Sequence, residues 1–167
     1  MKNIRFISFS GAFILPSLVV FMLLLLVACN KDRYAIDDVP PSIDVGFMGA
    51  FPKQCSTLKR GETFTFRARF TDNVELGSFS LDIHHNFDHH SHSTEAGECT
   101  LEPVKVPINP FVLIKSYDIP AGKQSYEAEI TITIPADVDP GNYHFMIMVS
   151  DQTGWTDMKG LSVHITE

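Results

Sequence analysis

Apolar side chains recur at every second position through most of the chain beyond residue 40. Phe64, Phe66, Ala68 and Phe70 alternate with Thr65, Arg67 and Arg69, and Phe79, Leu81 and Ile83 with Ser80 and Asp82. Tyr126, Ala128, Ile130, Ile132 and Ile134 alternate with Glu127, Glu129, Thr131 and Thr133. Tyr143, Phe145, Ile147 and Val149 follow the same rule, and Leu161, Val163 and Ile165 close the chain. A period of two marks half-buried strands, and no stretch here sustains the 3.6-residue period of a helix. With 43–47 and 111–117 added, seven strands are predicted. Turn residues punctuate them, as in Pro140-Gly141-Asn142-Tyr143 and Asp151-Gln152-Thr153-Gly154. The pattern predicts an all-β, immunoglobulin-like β-sandwich over residues 40–167, with Tyr143 placed to form a tyrosine corner.

The first 28 residues break the pattern. Lys2 and Arg5 precede a continuous apolar run from Phe6 to Ala28, long enough to span a bilayer. Its end, Leu26-Val27-Ala28-Cys29, resembles a bacterial lipobox, and polar Asn30-Lys31-Asp32-Arg33 follows at once. Residues 1–28 are therefore expected to be a lipoprotein signal peptide, Cys29 the lipidated N-terminus, and 29–39 a tether. A signal-anchor helix is the competing reading. Acyl chains contribute roughly 0.8 kcal/mol per buried CH₂, so the membrane is an expected partner through this anchor. The expected location is the cell envelope at the outer membrane, on either its periplasmic or its surface face, where an envelope protein is a candidate partner. The net charge of −7 argues against a nucleic-acid partner, which needs a basic face.

Three cysteines are present. With Cys29 assigned to lipid, Cys55 and Cys99 remain, in connections that a sandwich places at one end. An oxidising compartment favours a Cys55–Cys99 disulfide, with thiolate metal ligands as the alternative.

Five of the seven histidines fall in His84-His85-Asn86-Phe87-Asp88-His89-His90-Ser91-His92. Imidazoles suit zinc and copper, and a carboxylate can complete the set. Strand parity sharpens the reading. Phe79, Leu81 and Ile83 point inward, so His84 points outward, and His144 does the same between inward Tyr143 and Phe145. In an immunoglobulin-like sheet these two strands are antiparallel neighbours, so His84 and His144 can meet across them. Asp88, His90 and His92 can then close over the pair, with His85 and His89 as further candidate ligands. A plain solvated loop is the competing reading.

The tract from Ile83 to His92, with Pro140-Gly141-Asn142-Tyr143-His144-Phe145 and Val149-Ser150-Asp151, resembles a family of uncharacterised bacterial lipoproteins. That family carries an immunoglobulin-like domain of unknown function, and its His-Asn-Phe-Asp-His core is matched here. The resemblance implies an immunoglobulin-like fold and an outer-membrane lipoprotein. It implies no activity.

Weaker signals remain. Asp72, Asn73, Glu75 and Asp118 can meet Asp151 at the opposite end, where oxygen ligands suit calcium, although such residues at turns ordinarily bind backbone amides. Met146 and Met148 share the outer face with His144, and thioethers favour Cu(I). Trp155 is expected to cap the core. The functional expectation is a lipid-anchored, non-catalytic protein that binds zinc or copper. The alternative is an adhesion or assembly module without a dedicated metal site. A metallo-hydrolase using Asp88 or Glu95 as base is a third option, disfavoured because no nucleophile elbow or phosphate loop appears.

Overall fold

In the computed structural model, which describes residues 37–92 and 99–167, every regular element is a strand. The signal peptide, Cys29, the tether up to residue 36 and Glu95 lie outside the described residues. Eight strands are present: β1 Ser42–Asp44, β2 Ser56–Lys59, β3 Thr63–Thr71, β4 Leu76–His85, β5 Leu113–Asp118, β6 Ser125–Thr133, β7 Gly141–Asp151 and β8 Thr156–Thr166. They form two sheets in the orders β1-β3-β6 and β2-β8-β7-β4-β5. This is the expected β-sandwich.

Two differences from the sequence reading matter. The four residues of β2 pair in parallel with β8, from Ser56 beside Val163 to Lys59 beside Thr166. Leu58 is the single apolar residue in β2, so no alternation announced it. The strand expected at 111–117 runs as β5 along the edge of the larger sheet, antiparallel to β4. Its outer face is exposed, with Ile114 and Ser116 in solvent.

Inward-facing residues behave as their period requires. Phe66, Ala68 and Phe70 of β3 meet Phe79, Leu81 and Ile83 of β4 and Tyr143, Phe145, Ile147 and Val149 of β7, all buried. Their aromatic rings form a continuous seam: Phe66 stacks with Phe145 at 5.6 Å, and Phe79 lies 5.0 Å from Phe70 and 4.9 Å from Tyr117. Such pairs add to the burial of large apolar areas. The opposite face of β3 and β6 is charged, with Arg67 bound to Glu129 and Arg69 to Glu127 across the strands.

Tyr143 forms the corner that its position predicted. Its buried hydroxyl donates to the Asp139 carbonyl at 2.6 Å and accepts the Phe111 amide at 3.1 Å. Burial pushes the phenol up to about 12. These bonds anchor the residues before β7 and the residues entering β5.

The described parts of the connection from β4 to β5, residues 86–92 and 99–112, are pinned at many points. Cys55 and Cys99 form the expected disulfide, with Cα atoms 5.6 Å apart. The Asn86 amide donates to the Asn142 carbonyl at 2.8 Å, and the Asn142 side-chain oxygen accepts the Glu102 amide at 2.8 Å. Phe87 is buried edge-on against Tyr143, with the Lys105 ammonium 4.4 Å from its ring centre. Gly141 is required here: its φ is +134°, and a Cβ would lie 2.9 Å from the Phe87 ring.

Candidate metal centre

The antiparallel pairing of β4 and β7 sets His84 directly opposite His144. Both project from the outer face of the larger sheet, because their neighbours Ile83, Tyr143 and Phe145 fill the core. His144 is nonetheless fully buried. The cover is the start of the 86–112 connection, which folds back so that His90 and His92 lie over the strand pair.

Each of His84, His90, His92 and His144 offers a ring nitrogen within 4.8 Å of the others. The ring centres are spaced evenly. His84 lies 5.6, 5.2 and 5.3 Å from His90, His92 and His144. His90 lies 5.3 Å from His92 and 4.7 Å from His144, and His92 lies 4.5 Å from His144. Zinc bonds to imidazole nitrogen are about 2.0–2.1 Å, so a tetrahedral ion separates its donors by about 3.3 Å and their ring centres by about 5 Å. The six separations match that figure, and the His84 and His92 Nε2 atoms are 3.1 Å apart.

Hydrogen bonds set the tautomers. His84 Nδ1 lies 2.8 Å from Asp82 and His90 Nδ1 lies 2.6 Å from Asp88, so each donates to a carboxylate and carries its lone pair on Nε2. His144 Nε2 is 3.0 Å from the His90 carbonyl, which can only accept, so the lone pair of His144 lies on Nδ1. Metal-binding histidines are oriented by such outer partners, and a carboxylate behind the ring strengthens the donor. The bond to His90 also holds the Asp88 carboxyl below its usual range.

Three expected ligands are not brought to this cluster. Asp88 stands behind His90, where its carboxylate orients the ring. His85 falls on the opposite parity from His84 and packs on Phe87, ring centres 4.9 Å apart. His89 turns away at a positive φ of 60° and donates from Nε2 to the Glu102 carbonyl at 2.7 Å. Asp82 was missed as a partner, although its place two residues before His84 on the same strand face signals it.

Beside the cluster is a hollow of about 320 Å³, lined by His84, His92, Ile114, Met146, Met148 and Met158 among others. The methionines thus face the cluster's open flank. Met158 could not be assigned from sequence, since β8 was expected to start later. Trp155 is half-exposed, and its indole N–H donates to the Asp37 carbonyl at 2.9 Å, so it does not cap the core.

No curated protein matches this chain. Among solved structures it is similar to the GspB Siglec domain, at 18% identity and a TM-score of 0.41 over 78% of this chain and 59% of that one. It is also similar to Spo0M, a sporulation control protein from Bacillus subtilis, at 10% identity and a TM-score of 0.41, covering 77% and 50% of the two chains. The chain thus spans 59% and 50% of the lengths of these two structures. Residues 27–166 match the family described as DUF4625, a domain of unknown function, and the chain belongs to that family.

Proposed function

We propose that this protein is a lipid-anchored component of the cell envelope that binds zinc or copper through His84, His90, His92 and His144 without catalysing a reaction. The observation that carries the reading is the even, near-tetrahedral spacing of four imidazoles, three of them with tautomers set by a second hydrogen bond. Four protein donors close a tetrahedral shell, whereas catalytic zinc keeps a position open for water. Capture, delivery or sensing of the ion fits a closed shell built from two elements, a strand pair below and a loop above. The leader sequence and Cys29 support the anchor and the outer-membrane location.

A second reading, an assembly module, draws on a different observation. Val104, Val106 and Ile108 are 64%, 83% and 90% exposed along the 86–112 connection, with Ile114 beyond them on the sheet edge. Metal content separates the two. Protein purified without an affinity His tag and dialysed should retain one zinc or copper per chain by elemental analysis. A metal-free protein that fails to take up either ion in calorimetry would leave the assembly reading alone.

A further inference from the structure

At the other end of β4 and β7, three carboxylates converge from three separate places in the chain. Asp72 follows β3, Asp151 ends β7, and Asp37 is the first described residue. One oxygen of each lies within 4.8 Å of the others. Asp151 lies seven residue steps beyond His144 along extended β7, about 23 Å, so this cluster is independent of the histidines.

Each carboxylate is half committed. One oxygen of Asp151 accepts the amides of Thr153, Gly154 and Trp155 at 2.8, 2.6 and 2.8 Å. One oxygen of Asp72 accepts those of Val74 and Glu75, both at 2.7 Å. One oxygen of Asp37 accepts the Val39 amide at 3.3 Å and the Asn73 side-chain amide at 3.1 Å. These bonds are ordinary turn chemistry and explain three oxygens. They do not explain the other three. Asp37 Oδ2, Asp72 Oδ1 and Asp151 Oδ2 are buried with no hydrogen-bond partner, in a structure where Asp37 is 8% and Asp151 6% exposed. Among the described residues, no lysine, arginine or histidine forms an ion pair with any of the three.

Buried carboxylates that neither hydrogen-bond nor pair with a cation are unfavourable singly, and three together repel one another. A bound cation removes both costs. All-oxygen donors select a hard ion, and calcium accepts irregular sets drawn from separate loops at 2.3–2.6 Å, which places oxygens sharing one ion about 3–5 Å apart. Magnesium demands a near-ideal octahedron and retains its waters. We infer that Asp37, Asp72 and Asp151 form a calcium site that clamps the entry of the domain to the β3–β4 and β7–β8 turns. Asn73 orients Asp37 in this site, whereas Glu75 is turned to the Gly122 amide and Asp118 lies in β5, so neither contributes a ligand.

The chain's single tryptophan provides the readout, because its indole N–H holds the Asp37 carbonyl. The detergent-solubilised full protein, stripped with EGTA, would be titrated with calcium while Trp155 fluorescence and the thermal midpoint are followed, and calorimetry would fix the stoichiometry. The expected result is a saturable fluorescence change at one calcium per chain and a raised midpoint. Asp37→Asn should weaken binding at least tenfold, and so should Asp72→Asn, where the amide oxygen still serves the turn. His144→Ala should leave calcium binding unchanged. A flat fluorescence signal and midpoint up to about 10 mM calcium, beyond the range of weak extracellular modules, would overturn the site. So would wild-type calcium affinity in both Asp variants.

Discussion

β4 and β7 run side by side along the larger sheet and carry opposite donor sets at their two ends. At one end His84 and His144 are strand residues in direct register, and the loop above supplies His90 and His92. At the other, Asp72 and Asp151 sit where strands give way to turns, and Asp37 arrives from far away in sequence. Neutral imidazoles can bury themselves without an ion, since each ring can satisfy its N–H on a carboxylate or carbonyl. Carboxylates cannot do so unless every oxygen finds a donor. The histidine end is therefore organised before any metal arrives, whereas the acidic end is left with uncompensated charge. Preorganisation at the histidine end depends on what holds the loop down, and the following changes probe that dependence.

The largest effect is expected from the disulfide. Cys99 ties the far arm of the histidine loop to Cys55, beside β2, across a separation of 44 residues. Replacing both cysteines by serine should lower stability by about 4 kcal/mol on the chain-entropy estimate. Urea denaturation measures this. Zinc affinity should fall several-fold with it, because His90 and His92 lose their restraint, while the acidic end keeps its behaviour. Equal loss at both ends would show that the two regions are not separable.

Tyr143 ranks next. Tyr143→Phe removes the bond to the Asp139 carbonyl and leaves the Phe111 amide buried without its acceptor, a loss of about 2 kcal/mol. The same residue gives a pH signature. Its phenol ionises near 10 when unfolded and is pushed up to about 12 when folded, so the folded state favours the protonated form. The stabilisation is complete below pH 10 and is lost as pH rises from 10 through 12, where only the unfolded chain ionises freely. Alkaline denaturation should steepen in that window for the wild type and flatten for Tyr143→Phe.

Third is the metal centre itself. His144→Ala should weaken zinc or copper binding at least tenfold, about 1.4 kcal/mol. His144 lies more than fifty residues from the tract, so a freely chelating loop would not notice its loss. An unchanged isotherm in folded protein would reduce the site to such a loop.

The two ends were unequally legible in the sequence. Parity and the antiparallel neighbour rule put His84 and His144 on one outer face of adjacent strands, because a one-residue slip would turn the core side chains outward. The pairing of β4 with β7 then sets them opposite each other. The loop residues could be named but not sorted, since choosing among His85, Asp88, His89, His90 and His92 requires the loop's backbone. The positive φ of His89 and the burial of Phe87 decide it, and neither has a period. Asp37 was illegible for a different reason. It precedes the first predicted strand, among residues read as a tether, and only a contact across 114 residues brings it to Asp151. Likewise β2 escaped notice because a four-residue edge strand with one apolar side chain carries no alternation.

The smallest effect is the most discriminating test of how the loop is sorted. His85 belongs to the same tract as His84, yet its ring lies against Phe87, with Nδ1 facing the Phe87 amide at 3.5 Å. His89 spends its Nε2–H on the Glu102 carbonyl. His85→Ala and His89→Ala should each change zinc affinity by less than about threefold, under about 0.7 kcal/mol. His90→Ala and His92→Ala should each cost tenfold or more. A flexible chelating tract predicts something else, a similar small loss for all four, because any histidine can then replace another. The His89 variant needs one control, since losing its bond to Glu102 loosens the loop. His89→Gln retains a donor of similar reach and should restore affinity if the effect runs through that bond. A tenfold loss in His89→Gln as well as in His89→Ala would make His89 a ligand, and the four-imidazole site would have to be redrawn.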